Sequence, residues 1–544
     1  MLKSILFVGA TLLFTAATTA QDDFEGEIRW GEAFTIKRKE ADPQPIGTTN
    51  GSFYSTKTKR SALSNHGQVF LQTFSLETLS LRAEDELDLA YGDFDLSLIN
   101  SFVFGDKVVF ITTYTDKSSK EKFYLLHELS GGTALGKPIE LAKVGWTPKR
   151  LISTKKSRAQ SEDSGEFSFR FVISDDAKTM MISYDLPGNS GTQTVLIDKD
   201  LNEVSRGVID IPFEEFEVVQ GRLSNTGRFY TVGYEVEKDE TTGLIKREID
   251  VAGDYHVMIY DAVDGNLVDF DLDIDRDISS VGIKILADES FVTYGMYSNF
   301  DAKGISGAFF MKVDKNQTVL FTELDEFAED FITQHWTARQ KKKAEKTKKK
   351  KNPKKQAEPS LYSYIMHDLV VKDNGDMVLL AEQYYMYVTS HTYTDANGVS
   401  RTTYTYHYIY NDILAVNCTP AGEITWKEKV KKRQHSINDG GYYSSFFTMI
   451  QGDNIQMIYN DSEANMDDVD EEDKSKRKVR KNGVAAIITL GAGGNMSRKT
   501  FFDFDEDDKR TLVPKMCEKM SDTEMLIYTK GAKKSRILGW VNME

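Results

Sequence analysis

The chain has 544 residues, of which 40% are hydrophobic and 11% aromatic, and its formal net charge is −16. A chain of this length can bury a large core, but it is too long for one β-sandwich unless a structural unit repeats. The negative charge argues against nucleic acid as a partner, because binding to nucleic acid depends on neutralising phosphates.

Residues 1–20 have the pattern of a secretory signal peptide. Lys3 provides the positive n-region, residues 5–14 form an apolar h-region, and Ala20 ends a small-residue cleavage site. This apolar run is too short to cross a bilayer core of ~30 Å, and we expect no transmembrane segment later in the chain. We therefore predict an exported protein (periplasmic, outer-surface or secreted) whose residues 21–544 form a single domain.

A turn followed by a short apolar strand recurs along the chain. In the clearest unit, Asp373, Asn374 and Gly375 precede an apolar strand, and such turns use glycine and asparagine to supply a positive φ. The strands that follow such turns are at residues 69–73, 108–112, 179–183, 229–233, 291–294, 377–383, 455–459 and 525–528. Repeats of roughly 50–70 residues with about four short strands each predict an all-β fold, a β-propeller of four-stranded blades.

The two ends of the chain predict how this propeller closes. Residues 26–30 (Gly-Glu-Ile-Arg-Trp) match residues 422–426 (Gly-Glu-Ile-Thr-Trp) at all but one position. The last unit ends at the strand 537–541 without an outer strand of its own, so the N-terminal strand is expected to supply it and leave no free sheet edge. The count stays at seven or eight blades, because the first unit, within residues 50–100, is degenerate.

Two sets of motifs resemble a known family. The Leu-Ser-Asn-Thr-Gly turn at 223–227, before an apolar strand, resembles the repeats of TolB-like and related bacterial propellers with a WD-like repeat pattern. The block 411–461, with Asn-Asp-Ile, Gly-Glu-Ile-Thr-Trp and Gln-His-Ser motifs, is similar to a set of secreted bacterial propellers of uncharacterised function. The likeness covers the C-terminal third well and the rest only as a repeat pattern. It implies a fold and export, and no activity.

Long insertions point to one rim of the predicted propeller. If the strands of each blade are counted from the axis outward, the connections after the second and fourth strands share a rim. All the long insertions are of these two kinds: 235–254, 337–360, 384–410, 431–445 and 462–483. Elaborated loops on a rigid scaffold usually carry binding, so we expect function on this rim.

Two of the insertions are strongly charged. Residues 341–355 hold ten lysines and Pro353, which predicts a disordered loop within 337–360. This loop serves either as an arm for an anionic surface or as a solubilising linker. The insertion 462–483 is acidic and then basic, and it lacks the spacing of a calcium loop, so we expect a flexible segment.

The insertion 384–410 is rich in tyrosine. With a period of two, Tyr404, Tyr406 and Tyr408 project to one side of its returning strand and His407 to the other. A tyrosine row suits stacking on a sugar or docking a protein. The alternative is that cross-strand aromatic pairs only stabilise a projecting hairpin.

The insertion 431–445 leads into the innermost strand of the next unit, so its polar residues are expected near the mouth of the central channel. His435 and Asp439 are either an acid–base pair or, together with Asn438, turn residues that satisfy backbone groups. Two further polar pairs follow Ile-Tyr in adjacent units, and they either cap strands or share a polar site: Asn411 with Asp412, and Asn460 with Asp461.

Motifs of known enzyme classes are absent. The sequence has no Gly-x-Ser-x-Gly, His-Glu-x-x-His, Walker or dinucleotide-binding motif, and no cofactor, metal ligand or catalytic residue is predicted. The only cysteines, Cys418 and Cys517, either pair or remain separate buried thiols. We predict a non-enzymatic scaffold that binds an envelope protein or glycan. The alternative is a hydrolase or lyase acting on a polysaccharide at the channel mouth.

Overall fold

A computed structural model of the chain describes residues 24, 26–37, 39–59, 68–145, 169–186, 191–213, 216–236, 254–300, 302, 304–336, 338–349, 359–394, 398–465, 483–504 and 509–543. Besides the turn before the strand 69–73, three predicted features lie outside these residues. They are the signal peptide and most of the insertions 235–254 and 462–483.

The described chain is nearly all β, as predicted, and its strands form successive antiparallel sheets of four to six strands. The first half contains β1 (Glu27–Trp30) and β2 (Phe34–Thr35); β3 (Gln44–Thr49), β4 (Ser52–Lys59), β5 (Gln68–Ser75) and β6 (Leu81–Glu86) in sheet 1; β7 (Ala90–Tyr91) and β8 (Phe94–Asp95) in a ribbon; β9 (Ser97–Phe104), β10 (Lys107–Asp116), β11 (Glu121–Gly131), β12 (Ala134–Leu135) and β13 (Ile139–Gly145) in sheet 2; β14 (Phe169–Ile173), β15 (Thr179–Asp185), β16 (Thr192–Asp198) and β17 (Glu203–Ile209) in sheet 3; and β18 (Phe216–Leu223), β19 (Arg228–Glu235), β20 (Tyr255–Asp261) and β21 (Leu267–Asp271) in sheet 4.

The second half continues the pattern. It contains β22 (Asp277–Ile285), β23 (Phe291–Ser298), β24 (Gly307–Val313) and β25 (Val319–Glu326) in sheet 5; helices α1 (Glu329–Thr333) and α2 (Ala338–Lys348); β26 (Tyr364–Met366), β27 (Val370–Val371), β28 (Met377–Thr394), β29 (Ser400–Cys418), β30 (Ile424–Val430) and β31 (Gln434–Ile437) in sheet 6; β32 (Phe447–Gln451), β33 (Asn454–Ser462), β34 (Gly483–Leu490) and β35 (Met496–Asp503) in sheet 7; and β36 (Thr511–Leu512), β37 (Glu518–Lys519), β38 (Glu524–Lys530) and β39 (Ser535–Asn542), which β1 and β2 join in sheet 8.

The predicted turns join the first and second strands in every sheet except the first. In sheet 1 this turn is made by Asn50 and Gly51, both at positive φ (49° and 69°). The apolar strand predicted at 69–73 lies within β5, the third strand, and the turn predicted at 63–67 lies outside the described residues. The sequence therefore assigned the strand 69–73 to the wrong position in this sheet. The second strand, β4, was not recognised because most of its residues are polar.

Apolar side chains join each sheet to the next. Adjacent sheets are connected by clusters that include Leu71 and Phe110 (sheets 1 and 2), Phe104 and Ile182 (2 and 3), Leu196 and Phe229 (3 and 4), Val257 and Phe291 (4 and 5), Phe310 and Leu379 (5 and 6), Ala415 and Met457 (6 and 7), and Ile487 and Met525 (7 and 8). Another cluster packs Phe53 and Phe74 of sheet 1 against Leu526 and Tyr528 of sheet 8. Full burial of such a side chain contributes about 1.5–3 kcal/mol, so the core is distributed between the sheets.

Strand β1 is the outer strand of sheet 8 although it comes first in the sequence. It pairs antiparallel with β39, from Glu27 opposite Asn542 to Trp30 opposite Gly539. Trp30 makes an edge-to-face contact with Phe502, with ring centroids 5.4 Å apart. A Cβ atom at position 539 would lie 2.9 Å from the Trp30 ring, so the glycine makes room for this close approach.

The lysine-rich insertion differs from its prediction as a disordered loop, since part of it is helix α2. Between Ala338 and Lys348 the lysines alternate with alanine, glutamine and glutamate, all good helix formers, and Pro353 lies beyond the helix end. Lys348 also forms an ion pair with Glu329 of α1. None of the helices in the described part of the chain is long and apolar enough to cross a membrane.

The two cysteines belong to different parts of the core. Cys418, at the end of β29, packs between sheets 5 and 6, whereas Cys517 packs between sheets 7 and 8. Both thiols are free, and burial raises the pKa of each to about 12. Of the two alternatives left open by the sequence, the structure has separate buried thiols.

Candidate functional site

Sheet 6 carries a projecting hairpin, which we call the arm. Strands β28 and β29 continue beyond the sheet, and their pairing extends from Met377 opposite Cys418 to Thr394 opposite Ser400. The arm comprises residues 384–394 and 398–410, and residues 395–397 lie outside the described chain. The sequence predicted a hairpin and separate flanking strands. The structure instead joins them into two long strands, with a register shift between Glu382 and Tyr384 where the arm begins.

One side of the arm is a surface of large, exposed side chains, which we call the tyrosine face. Tyr404 is 61% exposed and Tyr406 is 43% exposed, and Tyr408 lies further down the same strand in a half-buried position. The neighbouring strand adds Met386 and Val388, both exposed. The three tyrosines predicted to form a row thus share a face and gain two apolar neighbours.

Strand β31 braces the base of the arm. It pairs with β29 from Gln434 opposite Tyr410 to Ile437 opposite His407. Asn438 then donates its backbone N–H to the Tyr406 carbonyl (3.0 Å), and its Oδ1 accepts from the Tyr406 N–H (2.9 Å). The segment 431–445 then leads into β32, the first strand of sheet 7, as predicted, but on the way it adds β31 to sheet 6, which the sequence did not predict. The β29 strand extends far enough to offer it a backbone edge.

The opposite side of the arm holds a pair of histidines. His407 Nδ1 lies 3.0 Å from His435 Nε2, and His407 Nε2 lies 3.0 Å from Thr389 Oγ1. Tyr387 stacks on the His407 ring, with centroids 4.4 Å apart and an interplanar angle of 7°. The pKa of His435 is lowered, first by partial burial and then by the charges of His407 and Arg433. This side of the arm therefore favours the neutral form of His435. Sequence reasoning placed His407 and His435 separately and missed their contact.

The predicted acid–base pair is not brought together. His435 uses Nε2 toward His407, whereas Asp439 Oδ1 accepts hydrogen bonds from Ser436 Oγ (2.7 Å) and the Gly441 N–H (2.9 Å). Among the hydrogen bonds of the described residues, none joins these two side chains. Asp439 therefore acts as a turn residue, the second of the two predicted alternatives.

A buried polar network fastens the arm to sheet 7. Glu382, the last β28 residue before the register shift, accepts from Lys432 Nζ (2.5 Å) and Ser445 Oγ (2.7 Å). Gln434 Oε1 accepts from Lys432 Nζ (3.1 Å) and the Ser445 N–H (2.8 Å), and its Nε2 donates to the Asn460 carbonyl (3.0 Å). The side chains of Glu382 and Lys432 are fully buried.

This network keeps Glu382 ionised. Burial alone would raise the pKa of its carboxyl, but His367, whose Nε2 lies 3.5 Å away, the charge and hydrogen bond of Lys432 and the hydrogen bond from Ser445 outweigh burial and hold the pKa below its usual value. Sequence analysis did not single out Glu382. The available signal was a lone carboxylate within the otherwise apolar start of β28.

The polar pair Asn411 and Asp412 lies at the base of the arm. Asn411 Nδ2 donates to Gln383 Oε1 (3.1 Å), and Asp412 Oδ2 lies 3.1 Å from His335 Nδ1. Asp412 Oδ1 also accepts from the Lys432 N–H (3.3 Å). These contacts tie β29 to neighbouring segments.

The corresponding pair in sheet 7 is buried and engaged elsewhere. Asn460 Nδ2 donates to the Tyr443 and Leu512 carbonyls, both at 2.8 Å, and its Oδ1 accepts from the Leu512 N–H (3.0 Å). Asp461 accepts from Arg498 Nη1 (3.0 Å), although burial still raises the pKa of its carboxyl. The two pairs thus join sheets and strands, each through its own partners. No group of three or more metal-ligating side chains occurs in the described ranges.

Comparisons with known proteins give structural neighbours only. No protein-family model matches the chain, and no curated protein matches its sequence. Prolyl oligopeptidase B from Galerina marginata is 9% identical over 96% of this chain and 56% of its own, with a TM-score of 0.38. The chain therefore spans little more than half of that enzyme's length.

Two other solved structures are similar at the same level. The β-propeller domain of the Trilobed protease from Pyrococcus furiosus is 10% identical over 76% of this chain and 100% of its own, with a TM-score of 0.30. A PL25 polysaccharide lyase, an ulvan lyase, is 9% identical over 96% of both chains, with a TM-score of 0.32. Similarity this low carries nothing about activity or ligand.

The class of protein follows from the chain's own geometry. Its sheets are antiparallel, sheets 1, 3, 4, 5 and 7 follow the order of their strands in the sequence, and the first strands of neighbouring sheets lie beside one another, as β3 does with β9 and β18 with β22. Apolar clusters join each sheet to the next. These features define a β-propeller protein.

Proposed function

We propose that the chain is an exported, non-enzymatic binding protein that holds an envelope protein or a glycan on its arm. The observation that carries this proposal is the exposure of Tyr404 and Tyr406 beside Met386 and Val388 on one face of a regular element. A contiguous apolar and aromatic surface is costly to leave in water, and on soluble proteins it usually marks a binding site.

The chemistry of the tyrosine face suits either ligand. A tyrosine side chain offers a flat apolar ring for stacking on a sugar or on a partner's side chain, and its hydroxyl gives direction to the contact. It also loses little conformational entropy on binding, because it has only two side-chain torsions.

The attachment of the arm supports a preformed surface. Backbone pairing with β31 and the buried Glu382–Lys432 network hold the arm's base against sheets 6 and 7. A surface that is already ordered pays less entropy when its ligand binds. This stiffness favours recognition over a merely tethered loop.

The remaining parts of the proposal concern the scaffold. We propose eight blades, one for each of the eight sheets, closed by the pairing of β1 with β39 and by the cluster between sheets 1 and 8. Export of a single domain spanning 21–544, and kinship with TolB-like propellers, are supported by the signal-peptide pattern of residues 1–20 and by the Leu-Ser-Asn-Thr-Gly repeat.

The test compares binding of chain 21–544 and a Tyr404→Ser/Tyr406→Ser variant to a panel of envelope polysaccharides and to crosslinked envelope proteins. Loss of two central aromatic anchors is expected to weaken binding by roughly tenfold or more. Tyr91→Ser, an exposed tyrosine of the β7–β8 ribbon, is the control and should bind normally. Equal binding by the double variant would contradict the proposal. Turnover of a polysaccharide that is lost in His435→Ala would favour a hydrolase or lyase instead.

A further inference from the structure

The arm has an open edge along each strand, and the longer of the two belongs to β28; on β29, pairing with β31 and Asn438 stops at Tyr406. On the side of β28 that faces away from β29, the pairing with β26 ends at Gln383. The last backbone hydrogen bond on that side is donated by the Tyr384 N–H to the Ser363 carbonyl (2.8 Å). From Tyr385 to Thr394, no other strand of the described chain pairs with this side of β28. The opposite side faces β29, as shown by the Thr403 hydroxyl that donates to the His391 carbonyl.

These two contacts identify the backbone groups on the open edge of β28. Because N–H and C=O directions alternate along a strand, residues that share the parity of Tyr384 point outward and those that share the parity of His391 point toward β29. The outward residues are Met386, Val388, Ser390 and Thr392. They offer an unsatisfied row of donors and acceptors to another strand.

The composition of this edge sets it apart from the outer edges of the described sheets. Residues 384–394 (Tyr-Tyr-Met-Tyr-Val-Thr-Ser-His-Thr-Tyr-Thr) contain no Asp, Glu, Lys, Arg, Pro or Gly. By contrast, every outer strand of the eight sheets carries at least one charged side chain: β1, β6, β13, β17, β21, β25, β30 and β35. Charges on an exposed edge discourage pairing with other chains. In the described chain, every outer sheet edge therefore has this protection, and the β28 edge of the arm does not.

We propose that two copies of this chain associate through this edge, with the two β28 strands antiparallel about a twofold axis at Thr389. Val388 then lies opposite Ser390 of the second copy, and Met386 opposite Thr392. On the histidine side of the arm, Tyr387 meets His391 of the second copy, and Tyr385 meets Tyr393. Such cross-strand aromatic pairs stabilise antiparallel sheets.

A second copy is the occupant that the sequence of the edge fits, because antiparallel pairing about Thr389 sets aromatic residues opposite one another on the histidine side. Each chain carries a net charge of −16, so most of its surface repels a like chain, whereas the uncharged β28 edge brings no charges together. The contact is isologous, because each copy uses the same β28 edge, and the open edge that remains, on β29, carries the charged Arg401. The proposal goes beyond the binding function and does not rest on it.

The test measures the association of purified chain 21–544 by sedimentation velocity over a wide range of concentration. We expect a reversible dimer that Val388→Lys weakens by roughly tenfold or more, because the two lysines would be diagonal neighbours on one face of the joined sheet, on either side of the twofold axis. The control is Tyr404→Lys, which places a lysine on the same face of the arm but on β29. It should dimerise like the wild type, and the thermal unfolding of each variant reports whether it is folded.

A crosslinking experiment tests the register. Thr389→Cys should form a disulfide-linked dimer on mild oxidation, because Thr389 faces its own copy at the twofold axis. Thr405→Cys, on the neighbouring strand directly opposite Thr389 within the arm, should not. A wild-type monomer at every concentration, equal weakening by both lysine variants, or a dimer in which Thr389→Cys fails to crosslink would overturn the proposal.

Discussion

The carboxylate of Glu382 and the ammonium of Lys432 lie 2.5 Å apart with both side chains fully buried, at the point where the arm leaves sheet 6. The two residues belong to different segments, and each also bonds to the segment that leads into sheet 7. This ion pair is therefore the joint between the arm and the propeller. Its chemistry decides how firmly the tyrosine face is held.

Removing the cation should destabilise the protein strongly. Lys432→Met leaves Glu382 buried and without its counter-charge, which typically costs about 3–5 kcal/mol. Urea denaturation should report this loss, while Arg433→Met, at the exposed neighbouring position, should change stability little. The double variant Glu382→Gln/Lys432→Met should recover part of the loss. Equal stability of Lys432→Met and Arg433→Met would show that the pair is dispensable.

The histidine pair should make the brace of the arm sensitive to pH. The folded-state pKa of His435 lies below its ordinary value of about 6.5, so the unfolded state binds the proton more readily. The stability that neutral His435 contributes is therefore fully present above pH 6.5, its ordinary pKa. It is lost progressively as the pH falls from that value to the lower pKa of the folded state. His407 and Arg433 act directly on His435, and His407 is in turn held by Thr389 and Tyr387.

Hydrogen exchange can locate this effect. The Asn438 N–H, bonded to the Tyr406 carbonyl, should exchange faster as pH falls below about 6.5, after correction for the intrinsic rate. His435→Gln should remove the extra pH dependence. A wild-type profile that matches the variant would contradict the prediction.

Asn460 should act as a structural residue rather than a ligand-binding one. Asn460→Ala leaves three backbone partners at the junction of sheets 7 and 8 without the side-chain amide, which costs about 1–3 kcal/mol. Thermal unfolding should show the loss, and the exposed Asn454 provides the control variant Asn454→Ala. Lost binding in an Asn460→Ala protein of wild-type stability would instead place a ligand there.

The N-terminal strand should contribute to the stability of the whole fold. Trp30→Ala removes the contact with Phe502 and, because Trp30 is half-buried, should cost about 2 kcal/mol, roughly half the loss for a buried aromatic side chain. Glu27→Ala, exposed in the same strand, should leave the urea midpoint nearly unchanged. A Trp30→Ala midpoint equal to the wild type would indicate that β1 pairs without supporting the core.

The sequence predicts those parts of the molecule that depend on neighbouring residues. Turns such as Asp373–Gly375 appear as local combinations of glycine, asparagine and aspartate, and the alternation of Tyr404, Tyr406 and Tyr408 follows from the period of a strand. For the same reason the β class and the repeating sheets could be derived without a structure.

Contacts between distant residues could not be predicted in the same way. Glu382 and Lys432 are 50 positions apart, and His407 and His435 are 28 apart. Their meeting depends on β31 pairing with an extended β29, which no local pattern encodes. The prediction of disorder for the lysine-rich segment was incorrect over α2 for another reason. The overall composition of the segment favoured disorder, but the residues of α2 that favour a helix follow one another in a single stretch.

The continuity of β28 and β29 also has a mechanical consequence. A ligand that pulls on the tip of the arm applies tension along both strands, from Thr394 and Ser400 down to Met377 and Cys418. That tension reaches β26, β27 and β30 as shear across hydrogen bonds that must break together rather than one after another. The arm should therefore resist pulling, because a force on a bound partner would be shared by all the strands of sheet 6.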